Sequence, residues 1–130
     1  MIDHLTTYAT DLDATVAFYD AVLAPLGYAR NVNMVTSWDE EFPTRRICAY
    51  GPGSRPMYWI AEVADAASPR HVAFAAADHG AVDAFHAAGL AIGARDNGAP
   101  GPRPQYHPGY YGAFLIDPDG NNVEAVNHGM

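Results

Sequence analysis

Cysteine is almost missing from this chain. The one thiol in 130 residues, Cys48, excludes an intrachain disulfide and predicts a reducing, cytoplasmic setting. Its neighbours Ile47 and Ala49 make it a small buried hydrophobe rather than a nucleophile. Basic residues are scarce too. Seven Lys and Arg stand against fifteen Asp and Glu, a formal net charge of −8, and nucleic acid needs a basic footprint that such a chain lacks. No apolar run approaches the ~20 residues that span a bilayer, and the opening Met1-Ile2-Asp3-His4 has no basic signal-peptide start. Neither nucleic acid nor membrane is therefore an expected partner. What remains, at 49% hydrophobic, suits a single domain over residues 1–130.

The most committed stretch lies near the C-terminus. Tyr111 to Ile116 and Val123 to Val126 read as strands, joined by Asp117-Pro118-Asp119-Gly120. Pro118 presets φ, the two aspartates bond local backbone, and Gly120 accepts the positive φ that closes a hairpin. The second strand carries Glu124 among Val123, Ala125 and Val126. A carboxylate there costs several kcal/mol unless it is paired, hydrogen-bonded or bound to a metal.

From the N-terminus, Ile2 to Thr10 alternates as a strand with His4, Thr6 and Tyr8 on one face. Asp11 follows as an N-cap, and Val16, Tyr19, Val22, Leu23 and Leu26 recur at helical spacing until Pro25 and Gly27. Strands are predicted over 31–37, 46–50 and 57–63. Then the pattern restarts. At a shift of 67 residues His4, Ala9, Asp11, Ala14, Ala17, Phe18, Ala21 and Leu23 meet His71, Ala76, Asp78, Ala81, Ala84, Phe85, Ala88 and Leu90. This is a duplicated strand–helix–three-strand unit, module one covering about 1–64 and module two about 69–128.

The duplication gathers scattered residues. His4 and His71 open the first strands of their modules on the face opposite Leu5, Val72 and Phe74, and Glu124 lies in the last strand of module two. If the sheets pair into a trough, two imidazoles and a carboxylate converge in it. That donor set holds a divalent ion and leaves positions open for water, substrate or oxygen.

With these residues the chain resembles the vicinal oxygen chelate superfamily of glyoxalase I, bleomycin- and fosfomycin-resistance proteins and extradiol dioxygenases. The resemblance rests on Ile2-Asp3-His4, Asp11, Phe18-Tyr19, Leu23 and Leu26-Gly27, then on His71-Val72-Ala73-Phe74 and Asp117 to Glu124. It implies an α+β fold of two tandem βαβββ modules forming a half-barrel cup of mixed sheet with helices outside, often assembled as a homodimer. It also implies a divalent Fe, Mn, Ni or Zn ion on His4, His71 and Glu124, binding a small-molecule substrate through two adjacent oxygens. The fourth ligand position of glyoxalase I falls on Ile60, and Tyr8 replaces the first-strand arginine that enzyme uses for glutathione. The dioxygenase signature is matched by His107, Asp117-Pro118, Gly120 and Glu124, but Phe114 stands where that family keeps a catalytic tyrosine, so Tyr110 or Tyr111 would have to supply the hydroxyl.

The expected site therefore has Glu124 as ligand or base, His107 as acid or base, Tyr111 as a hydroxyl donor, and Tyr8, Ile60, Arg103, Tyr110 and Phe114 against the substrate. The run 93–109, rich in Gly and Pro, reads as a lid in which Arg103 closes over an anionic or aromatic ligand. The expected function is metal-dependent dioxygenase or lyase/isomerase chemistry. The alternative is a metal-free binding protein of the bleomycin-resistance type.

Overall fold

The computed structural model describes residues 2–129. In chain order the elements are β1 (Leu5–Ala9), α1 (Leu12–Leu23), β2 (Ala29–Val35), β3 (Arg46–Gly51) and β4 (Tyr58–Glu62). The plan then repeats as β5 (His71–Ala75), α2 (His79–Ala91), β6 (Arg95–Pro102), β7 (Tyr111–Ile116) and β8 (Asn122–Asn127). Two open four-stranded sheets result, in the orders β1-β4-β3-β2 and β5-β8-β7-β6. Only the β1/β4 and β5/β8 pairs are parallel, so each sheet is mixed, with β1 and β5 as free edges. The expected α+β fold of two βαβββ units is what the chain adopts.

The repeat extends to hydrogen bonds. Asp11 Oδ1 caps α1 by accepting from Ala14 N at 3.1 Å, and Asp78 Oδ1 caps α2 by accepting from Ala81 N at 2.8 Å. Phe18 and Phe85, equivalent positions, are both buried in one core that both helices and both sheets share. Full burial of a side chain of that size contributes about 1.5–3 kcal/mol.

A polar chain also crosses the core between the halves. Thr7 Oγ1 donates to Tyr58 Oη at 3.0 Å, Tyr58 to Tyr19 at 2.9 Å, and Tyr19 to Asp117 Oδ2 at 2.7 Å. Burial raises the Tyr58 hydroxyl to about 12 and the Tyr19 hydroxyl further, so both stay protonated donors. Asp117 also accepts from the backbone N–H groups of Asp119 and Asn121 and from the Asn121 amide, which accounts for its burial. Beside it, Asp119 accepts from the Thr10 N–H and hydroxyl, a second clasp between the halves.

One expectation fails locally. Much of the run 93–109 is strand β6 rather than a lid, paired antiparallel to β7 with irregularities between Asp96 and Gly98 and between Gly98 and Gly101. Strand composition gave no hint of it, because backbone pairing to a well-formed neighbour needs no β-favouring side chains. Among the described residues no helix is long and apolar enough to cross a membrane.

Candidate functional site

Strand alternation sorts the residues of module two. In β8, Val123 and Ala125 are fully buried toward the helices, so Glu124 points to the other face. Its lateral neighbours there are Ala73 on β5 and Phe114 on β7. Glu124 is nevertheless only 2% exposed. Gly112 makes room for it, since a Cβ at that position would come 3.0 Å from Glu124 Oε2 and 3.2 Å from the Tyr110 ring.

Two groups hold the carboxylate. The Tyr110 hydroxyl donates to Oε2, and burial followed by that bond keeps the phenol protonated, well above its ordinary range. Oε1 lies 3.1 Å from His71 Nε2. The other ring nitrogen, His71 Nδ1, sits 2.9 Å from the Asn122 carbonyl oxygen, which only accepts, so Nδ1 carries a proton. In the neutral imidazole Nε2 is then a bare lone pair facing a carboxylate oxygen. Two acceptors at that distance repel unless positive charge lies with them, either a proton on Nε2 or a cation that both ligate. The pair fits a divalent ion on this ground: one neutral nitrogen with a carbonyl behind it and one hydrogen-bonded carboxylate oxygen.

The rest of the set forms a floor across the sheet. The Phe114 ring lies 6.3 Å from the His71 ring at 29°, and the Arg103 guanidinium stands 5.4 Å from the Phe114 centroid. His107 touches the edge of Tyr110 at 5.3 Å and reaches Glu124 only through that ring. Its Nδ1 donates to the Pro108 carbonyl at 2.7 Å, leaving Nε2 to accept from His128 Nδ1 at 2.9 Å. His128 is a residue that sequence reasoning left on the surface, since nothing local marks the pairing.

Module one contributes less. His4 is exposed, with Asp3 at 2.7 Å and Trp59 at a ring separation of 6.4 Å. It does not join His71 and Glu124: among the described residues no three His, Cys, Asp or Glu are grouped to hold a metal. Tyr8 shares the open face of β1 with Thr6 and is 46% exposed.

Two expected site residues lie elsewhere. Ile60 is fully buried on the helix-covered face, because the alternation that turns Thr7 and Tyr58 inward turns Ile60 with them. The register shows what occupies the ligand position instead. Thr6 pairs with Trp59 as Ala73 pairs with Glu124, so Trp59 is the module-one counterpart of the glutamate. Laying β4 on β8 with a shift of 65 residues would have found it. Tyr111 also faces the helices, its hydroxyl donating to Asp83 at 2.7 Å and its ring stacked on His79 at 3.8 Å. A residue one step along the chain, Tyr110, is the hydroxyl at the carboxylate. His86, expected at the surface, is buried against Asp96 at 2.9 Å.

A recess of about 500 Å³ lies between α1, the start of β6 and the β7–β8 turn. None of the donors lines it.

No family model matches the sequence, and no curated protein matches it. Solved structures do match. A glyoxalase/bleomycin resistance protein from Albidiferax ferrireducens is 29% identical over 95% of both chains, with a TM-score of 0.73. The fosfomycin resistance protein FosX from Listeria monocytogenes, crystallised with Mn(II) and a dihydroxypropylphosphonic acid, is 19% identical over 100% of this chain and 92% of its own, at 0.69. Glyoxalase I from Zea mays is 18% identical over 96% of this chain, which spans 46% of that longer protein, also at 0.69. By its fold and its structural neighbours, this chain belongs to the vicinal oxygen chelate superfamily.

Proposed function

We propose that the chain is a metal-dependent enzyme acting on a small oxygenated molecule held through two adjacent oxygens. His71 and Glu124 of one protomer and His4 of a second would be the ligands. The observation that carries this reading is the contact of His71 Nε2 with Glu124 Oε1 at 3.1 Å, two acceptors turned toward a single point. His4 lies outside that contact but stands beside the free edge of β1, as His71 opens the free edge of β5. A homodimer joining those edges supplies the third donor.

The chain's residues then have distinct tasks. The Asn122 carbonyl fixes the His71 tautomer, and Tyr110 holds one carboxylate oxygen so that the other stays presented. Trp59, in place of a fourth acidic ligand, leaves more of the coordination sphere to substrate and walls the cup with an indole. A divalent Fe, Mn, Ni or Zn ion bound there supplies Lewis acidity to the chelated oxygens. Glu124, freed from ligation, is placed to take a substrate proton, with Tyr110 and the His107–His128 pair next in line toward solvent.

Metal content of protein purified without a histidine tag tests the ligand set. We expect about one ion per chain, lost in His71→Ala and in Glu124→Gln. Mixing His4→Ala with Glu124→Gln protein should recover part of the binding, because one of the two cups in a mixed dimer is intact. If no variant changes metal content, and His4→Ala leaves small-molecule binding intact, the metal-free binding alternative replaces this reading.

A further inference from the structure

Arg103 is unlike the other ordered arginines of the fold. Arg30, Arg45 and Arg46 each pair with a carboxylate. Arg103 has no acidic partner among the described residues, although acids outnumber bases fifteen to seven. Its guanidinium is instead pinned by backbone carbonyls: Nη1 donates to Gly101 at 2.9 Å and Pro102 at 3.4 Å, Nη2 to Ala99 at 2.7 Å. These acceptors use three of its five N–H groups and carry no net charge. The cation is therefore fixed, half-buried and uncompensated, with two donors unspent.

The strand around it is shaped to seat it. A Cβ at Gly98 would come 3.3 Å from Arg103 Nη2 and 2.9 Å from the Phe114 ring, and one at Gly101 would come 3.4 Å from Nη1. The glycines that made β6 unreadable as a strand are where the guanidinium rests. Phe114 beneath it holds the group in a cation–π contact.

Position gives the cation a meaning. Across the sheet order β5-β8-β7-β6, the open face presents His71, Glu124, Phe114 and then Arg103. Three strand spacings separate the first strand from the last, about 14 Å. We propose that Arg103 binds an anionic group at the far end of the substrate. On this assignment, which rests on the cup being the substrate site, the ligand has two adjacent oxygens at one end, a flat apolar body over Phe114 and a carboxylate or similar anion at the other. The two unspent N–H donors match the two oxygens of a carboxylate.

The test is a matched pair of probes that differ by one carboxylate, 3-(3,4-dihydroxyphenyl)propanoate and 4-ethylcatechol, titrated calorimetrically into the protein with and without Zn(II). The acid should bind roughly tenfold more tightly, as a charge-assisted contact predicts. Arg103→Gln should bring the ratio of affinities close to one, and Arg103→Lys, which keeps the charge but not the carbonyl bonds, should retain part of it. Added salt should shrink the wild-type ratio. Equal affinities in both forms of the wild type, no binding of either probe, or a ratio unaltered by Arg103→Gln overturns the assignment. If Zn(II) does not bind, the ligand set fails while the metal-free titration still decides the role of Arg103.

Discussion

The two modules share a plan and differ in what they expose. Both have a capped helix, a buried phenylalanine at the same place and a parallel edge pair. Module two adds a polar, pre-arranged face: Glu124 bonded by Tyr110, His71 oriented by a carbonyl, Arg103 seated among glycines. Module one presents a solvent-exposed histidine and, in the glutamate's place, Trp59. A duplicated scaffold has kept its packing in both copies and concentrated its ionisable groups in one. Packing constraints act on every residue of a core, whereas a site needs its charge only once.

The same asymmetry holds the halves together, and removing it should have the largest effect. Asp117 in the β7–β8 turn receives the Tyr19 hydroxyl across the core, while the corresponding β3–β4 turn has Pro52. Asp117→Ala strands that hydroxyl, the Asn121 amide and two backbone N–H groups. It should cost about 3 kcal/mol or more in urea unfolding, and Pro52→Ala well under half as much.

A smaller effect should come from the partner of Glu124. Tyr110→Phe keeps the ring and removes the hydroxyl, and a lost outer partner of this kind lowers metal affinity roughly 10- to 100-fold. Trp59→Phe in module one should leave metal affinity within a few-fold, as read by chelator competition. Similar losses in the two variants would contradict the division of labour between the modules.

The smallest effect concerns a carboxylate of module one that has a structural partner. Arg46 donates to Glu62 at 2.8 Å, and that bond holds the Glu62 carboxyl below its ordinary value of 4.5. A depressed folded value means the stabilisation is present above pH ~4.5 and is lost as pH falls through the lower folded value. Glu62→Gln should therefore cost at most about 1 kcal/mol at pH 7, and the difference from wild type should vanish in unfolding measured near pH 3.

Much of this was legible in the chain. The eight matches at a shift of 67 residues carry the repeat, both helix caps and both buried phenylalanines, because those are local features of spacing and chemistry. Glu124 stood out for a similar reason, as an acid in an apolar strand. Strand β6 escaped notice because its stability comes from β7, not from its own Gly-Pro composition. Tyr111 was favoured over Tyr110, and Ile60 over Trp59, because a one-residue error in register sends a strand residue to the opposite face.

Sequence alone determined the duplication, the hairpin and the identities of the imidazoles and the carboxylate, since periodicity and turn chemistry are properties of neighbouring residues. The tertiary structure decided which of them meet. It joined His71 to Glu124, kept His4 apart from both and put a lone guanidinium at the end of the floor. Such contacts depend on strand order and register, which no single segment encodes.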